Sequence, residues 1–161
     1  MIVVSDTSPI GNLLQIGQLD LLKTIFTTVF VPPTVHKEVL ELQKFGISTI
    51  RYQSADWIVV QQLASTKGIA PLLELLDAGE SEALLLAMEI KADWILMDER
   101  AGTRKAEEMG LRPIGLIGIL MKAKEQGLIT NVTSMIEMMR VKAGFWISDH
   151  FLEKIRIQLN E

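Results

Sequence analysis

A chain of 161 residues, 48% hydrophobic and 22% charged, is long enough to close one real core and too apolar to stay disordered. It holds no cysteine, which excludes disulfides, thiolate metal sites and cysteine nucleophiles, and its two histidines, His36 and His150, are too far apart for a local paired-histidine zinc motif. A net charge of −4 argues against a broad basic platform for nucleic acid, so any metal is expected to be held mainly by oxygen and any nucleic acid by local patches.

Residues 2–5 read as a short buried strand, followed by Thr7-Ser8-Pro9, where Ser8 is expected to cap a helix and Pro9 to occupy its first turn. Leu13, Leu14, Ile16, Leu19, Leu21 and Leu22 then supply the apolar positions of one helix, or of two with a break near Gly17. Residues 28–31 read as a second strand, ended by Pro32-Pro33, and the next helix carries Val35, Val39 and Leu42 at i, i+4 and i+7. Residues 57–60 form a third apolar run of strand length. A loop with Gly68 and Pro71 follows, then a short helix over 72–76 that stops before Asp77-Ala78-Gly79. Residues 80–90 read as a helix so apolar, Ala83-Leu84-Leu85-Leu86-Ala87-Met88, that it belongs inside. The chain continues with a strand at 94–97, a helix at 101–109 closed by Gly110, a short strand at 112–115 and a helix at 116–124 closed by Gly127. Helices at 133–142 and 149–159 finish it. Alternating strands and helices predict one α/β domain around a central, mainly parallel sheet. No apolar run reaches the roughly 18 residues of a membrane span, and no basic leader opens the chain, so a cytoplasmic location is expected.

Four acids stand where strands end or helices begin. Asp6 closes the first strand and Asp98 the fourth, at the edge where parallel sheets place ligands. At about 100° per residue from Val35, Glu38 falls near −60°, flanking the buried stripe, while Glu41 falls near −120° and faces solvent. Glu80 fits a capping box with Asp77, and it also shares a face with Leu84 and Ala87. Glu82 lies about 160° around the helix from Glu80, so the two are not expected to bind one ion directly. Glu99, next to Asp98, is at best an outer ligand. Each acid alone has an ordinary reading as a turn, cap or surface group, but the topology brings all four segments to one end of one sheet. Gathered carboxylates resist ionising together unless a cation neutralises them, and Mg²⁺ or Mn²⁺ suits such oxygen donors. A metal-dependent phosphodiester hydrolase is therefore expected, with Arg100, Arg104 and Lys105 as candidates to meet substrate phosphates. Met135, Met138 and Met139 form a helical cluster expected to pack.

Val3-Val4-Ser5-Asp6-Thr7-Ser8-Pro9-Ile10, Val31-Pro32-Pro33-Thr34-Val35 leading to Glu38, Gly79-Glu80-Ser81-Glu82-Ala83, and Ile95-Leu96-Met97-Asp98 together resemble the four-acid pattern of PIN-domain proteins, over about residues 2–128. The Gly-Glu-x-Glu-Ala helix start and the ending Ala123-Lys124-Glu125-Gln126-Gly127-Leu128-Ile129 resemble one prokaryotic PIN branch more narrowly. The resemblance implies a three-layer α/β/α sandwich, with residues 1–130 as a nuclease domain and 131–161 as a helical extension packed on it. It further implies an Mg²⁺- or Mn²⁺-dependent endoribonuclease related to VapC-type toxins, homodimeric and held by a small antitoxin. Asp6, Glu38, Glu80 and Asp98 match the family's metal-binding acids, and Thr7 or Ser8 the hydroxyl beside the first. The third acid is usually Asp; here the position holds Glu80, with Glu82 as a competing match. The alternative is a scaffold that no longer cuts, with 133–142 and Gly144-Phe145-Trp146-Ile147 docking a partner or a second copy.

Overall fold

In a computed structural model that describes residues 1–161, five strands form one all-parallel sheet in the order β3-β2-β1-β4-β5. They are β1 (Val3–Ser5), β2 (Val29–Val31), β3 (Ile58–Val60), β4 (Trp94–Leu96) and β5 (Pro113–Ile114). Ten helices surround the sheet in an α/β/α sandwich: α1 (Thr7–Gln15), α2 (Asp20–Phe26), α3 (Pro33–Glu41), α4 (Ile50–Gln53), α5 (Ile69–Leu73), α6 (Ala78–Glu89), α7 (Arg100–Glu108), α8 (Leu116–Glu125), α9 (Val132–Ala143) and α10 (Asp149–Leu159). The central strands are apolar without alternation because helices cover both of their faces; Val3, Val4, Ile95 and Leu96 are fully enclosed.

Sheet order decides where a site can form. The chain runs outward from β1 to β2 and β3 on one side, then crosses back to β4 and β5 on the other, so the order reverses between β1 and β4. At such a switch point the loops leaving the two strands diverge and open a crevice at their carboxyl ends. Val3, Val4 and Ser5 pair with Trp94, Ile95 and Leu96, and the Asp6 N–H donates to Leu96 O at 2.9 Å, so the pairing extends to the first acid itself.

The helix α6 is apolar on nearly every side, and it lies against β1 and β4 while packing on α3 and α5. A second group, α2, α8 and α9, packs together, and α1 contacts both α3 and α9. Val132, Ile136 and Met139 of α9 and Leu152 and Ile155 of α10 join the same apolar cluster as the strands. No helix is long and apolar enough to cross a membrane.

Three local expectations change. The first helix starts at Thr7 with Asp6 in the N-cap position, so Ser8 lies inside the first turn rather than capping it. The short helix before Asp77 spans Ile69–Leu73, displaced toward Gly68, whose left-handed conformation (φ +88) starts it. A 3₁₀ turn at Leu42–Phe45 and the four-residue α4 were not foreseen, because elements this short carry no readable periodicity. Met135 and Met139 are buried and Met138 is half-buried against the core, so most of the methionine face of α9 packs inside the domain.

Candidate active site

Asp6 stands at the switch point, only 4% exposed. Burial pushes its carboxyl up to about 7; the Thr7 amide pulls it back, and Glu80, Asp77 and Glu38 push it up further. Glu38 arrives from α3, where Pro32 in extended conformation and Pro33 at the first helical position fix the entry after β2. The Thr7 hydroxyl donates to Glu38 Oε2. The Glu38 carboxylate lies directly over Gly79, where a β-carbon would stand 2.5 Å from Oε2 and 2.7 Å from Oε1. Burial raises the Glu38 pKa, against the Thr7 hydroxyl and the Gly79 amide, which hold the charged form.

Glu80 forms the full capping box with Asp77. Its N–H donates to Asp77 Oδ1 at 2.8 Å, and its own Oε2 accepts the Asp77 N–H at 3.0 Å. The residue is only 6% exposed, and burial raises its pKa, with Asp77, Glu99 and Glu38 adding repulsion. Oε1 takes no part in the box and faces the backbone of Gly102. Asp98 leaves β4 beyond Met97, and its Oδ1 accepts the Leu116 N–H at the start of α8, 2.8 Å away. A β-carbon at Gly115 would stand 2.8 Å from that oxygen. Asp98 Oδ2 is enclosed and has no hydrogen-bond partner. Burial pushes Asp98 up to about 6, against the Leu116 amide, with Glu99 adding repulsion.

An open cavity of about 460 Å³ gathers Asp6, Glu38, Asp77, Glu80 and Glu99, with Thr7, Ser8, Asn12 and Gln15 on its wall and no Lys or Arg. A second cavity, about 650 Å³, shares Ser8, Asn12 and Glu99 with the first and adds Asp98 and Arg100. As the side chains stand, no three of these acids are gathered closely enough to hold an ion. The donors nonetheless fit one. They are all oxygen, the cavity has no cation of its own, one buried Asp98 oxygen is unpartnered, and glycines at 79 and 115 leave the room that the Glu38 and Asp98 carboxylates occupy.

The PIN-domain family model DUF3368 matches residues 2–161. The chain belongs to the PIN-domain family. A solved PilT N-terminus domain protein from the hyperthermophilic archaeon Sulfolobus solfataricus P2 is 19% identical, with a TM-score of 0.54 over 76% of this chain and 93% of that one; at that identity the likeness shows the fold. No curated protein matches the chain. The family match runs past residue 128, where the resemblance in the sequence fades, and takes in α9 and α10.

In this PIN domain, Asp6, Glu38 and Glu80 meet on one cavity, Asp98 and Arg100 lie on the adjoining one, and Glu99 and Ser8 border both. Thr7 is the hydroxyl that touches an acid. Glu82 is turned away from the cavity. Its carboxylate accepts from the hydroxyl and the N–H of Thr34 at the start of α3, so it ties two helices together instead of competing with Glu80. Lys105 pairs with Glu108 at 3.2 Å, and the exposed Arg104 lines neither cavity. Three polar lining residues were not foreseen. Asp77 has the sequence signature of a cap and of nothing more. Asn12 and Gln15 follow Ser8 at i+4 and i+7, a polar stripe on an otherwise apolar helix that periodicity could have revealed.

Proposed function

We propose that this PIN domain is an Mg²⁺- or Mn²⁺-dependent ribonuclease that hydrolyses RNA phosphodiester bonds. The family supplies a nuclease-type fold. The observation that carries the reading is a cavity at the sheet's switch point, walled by five carboxylates with no compensating cation, beside a buried Asp98 oxygen that has no partner. Carboxylates so placed repel an RNA phosphate unless a divalent ion stands between them.

Asp6, Glu38, Glu80 and Asp98 would hold the metal, with Glu99 at its outer edge. A divalent ion bound there supplies Lewis acidity toward the phosphodiester and an acidified water at neutral pH. The chain's own residues do the positioning. Thr7 fixes the Glu38 carboxylate through its hydroxyl, the capping box fixes one oxygen of Glu80 and leaves the other free, and the Leu116 amide holds Asp98 with its second oxygen uncommitted. Arg100, exposed on the adjoining cavity, is placed to meet a substrate phosphate, a role that Lys105 in its pair with Glu108 does not share.

The test is cleavage of labelled RNA in Mg²⁺ or Mn²⁺. Asp6→Asn and Asp98→Asn should each lose at least about a hundredfold in rate, by analogy with removal of other charge-stabilising groups, while keeping wild-type circular dichroism. Cleavage that survives both substitutions, or persists in EDTA, overturns the reading. Kinship with VapC-type toxins adds two expectations: growth arrest on expression, relieved by Asp98→Asn, and co-purification of a small antitoxin with a homodimer.

A further inference from the structure

Trp146 is 83% exposed, and the loop that carries it is anchored on both sides. Gly144 ends α9 in the left-handed conformation (φ 64), the Phe145 N–H donates to Met139 O at 3.1 Å, and Phe145 packs against the core. Ile147, the next residue, is buried, and Ser148 caps α10. The indole is thus held outward by its neighbours rather than left on a loose end. The other two tryptophans are occupied: Trp57 is buried, and Trp94 is covered by Arg112 at 4.1 Å and Lys122 at 4.9 Å.

Phe145 and Trp146 form one wall of the cavity that carries Asp98 and Arg100, and that cavity runs into the acid-lined one through Ser8, Asn12 and Glu99. A flat aromatic face, a guanidinium without an ion pair and the proposed cleavage centre therefore share one continuous surface. An apolar partner segment would call for a broad greasy groove. Here five of the nine lining residues are polar or charged (Ser8, Asn12, Asp98, Glu99 and Arg100), Met135 and Met139 are buried, and only Ala143 and Phe145 stand beside the ring as apolar members of that wall. Unpaired bases stack on such rings, whereas bases inside a duplex present no face to them.

Building on the ribonuclease reading, we propose that Trp146 is a base-stacking platform for the substrate strand: one unpaired base lies on its indole while the adjoining phosphate is held by Arg100 and the next reaches the acids.

The test uses the full chain in Ca²⁺, with a fluorescein-labelled oligouridine followed by anisotropy and, unlabelled, by tryptophan emission. Single-stranded oligonucleotide should quench the exposed-tryptophan emission. Trp146→Ala should weaken binding about 5- to 150-fold, the range for loss of one stacked base. Trp146→Phe should recover most of the affinity, and a duplex of the same RNA should bind weakly without quenching. Equal affinity for Trp146→Ala and wild type, or equal quenching by duplex, overturns the proposal. So does a Trp146→Ala chain that changes from dimer to monomer in light scattering with RNA affinity unaltered, because the ring then belongs to a second copy. Wild-type protein that is quenched by oligouridine yet never cleaves RNA in Mn²⁺ supports the stacking surface and refutes the nuclease reading, so the two fail separately.

Discussion

Replacing Asp6 by Asn should stabilise the metal-free protein at pH 8. In the folded state burial pushes this carboxyl from 3.8 to about 7, with the Thr7 amide opposing and Glu80, Asp77 and Glu38 reinforcing the rise. The unfolded chain loses the proton first. Asp6 therefore contributes stability that is complete below about pH 3.8 and is lost as pH rises through about 7. At about 1.36 kcal/mol per unit, the rise corresponds to a ceiling of roughly 4 kcal/mol at pH 8. Relaxation and water in the open cavity reduce this, and roughly 2 kcal/mol is a realistic yield. For a chain of this size that is a rise of about 4–8 °C in Tm. The assay is thermal unfolding by circular dichroism in EDTA at pH 8 and pH 5. The gap between variant and wild type should be wide at pH 8 and shrink toward pH 5. Mn²⁺ at pH 8 should then raise the wild-type Tm and leave Asp6→Asn nearly unmoved. A variant that melts at or below the wild type at pH 8 in EDTA, or a gap independent of pH, would refute the reasoning.

Gly79→Ala gains up to about 1 kcal/mol of helix propensity but places a β-carbon on the Glu38 carboxylate, so calorimetry should show a folded protein with weakened Mn²⁺ binding. Glu82→Gln should leave cleavage at the wild-type rate and cost about 1 kcal/mol in urea unfolding, because its carboxylate serves Thr34 and not the cavity. Glu161→Gln should cost roughly 2–3 kcal/mol at pH 7, read by urea denaturation. Burial alone would raise this carboxyl, but Lys124, Thr133 and Val132 outweigh it and hold it at about 2, so the stability it gives is present above about pH 4.5 and lost as pH falls toward 2.

The strands and longer helices were legible because their periods reflect burial. Val35 and Val39 are buried as the helical stripe requires, and α6, apolar on nearly every side, lies inside the sandwich. The strand-end acids were legible from the logic of parallel sheets, with no view of their neighbours needed. The side-chain partners were not. Whether Glu80 or Glu82 turns inward depends on Thr34, which is 48 residues from Glu82 in sequence, and nothing local encodes that contact. The glycines behave similarly: Gly79 and Gly115 look like ordinary helix-start residues until Glu38 and Asp98 are seen lying against them.

A comparison within the molecule locates what the cavity lacks. Four carboxylates sit where a helix begins. Asp6 meets the Thr7 amide of α1, Glu38 the Gly79 amide of α6, Asp98 the Leu116 amide of α8, and Glu161 the Val132 and Thr133 amides of α9. Helix amides favour the charged form in every case. Yet Glu161 is held down at about 2, while Asp6 and Asp98 are pushed up to about 7 and about 6 and Glu38 also rises. One backbone donor is thus insufficient to offset burial. What Glu161 has in addition is the Lys124 ammonium, 2.5 Å away, and the Thr133 hydroxyl at 2.6 Å. Glu38 has a hydroxyl too, from Thr7, but only one backbone donor and no cation, and its pKa still rises, whereas Glu161 gathers two amides, a hydroxyl and an ammonium. The fold supplies an ion pair to Glu161, far from the switch point, and supplies none to Asp6, Glu38, Glu80 or Asp98. A divalent ion in the cavity would do for those acids what Lys124 does for Glu161.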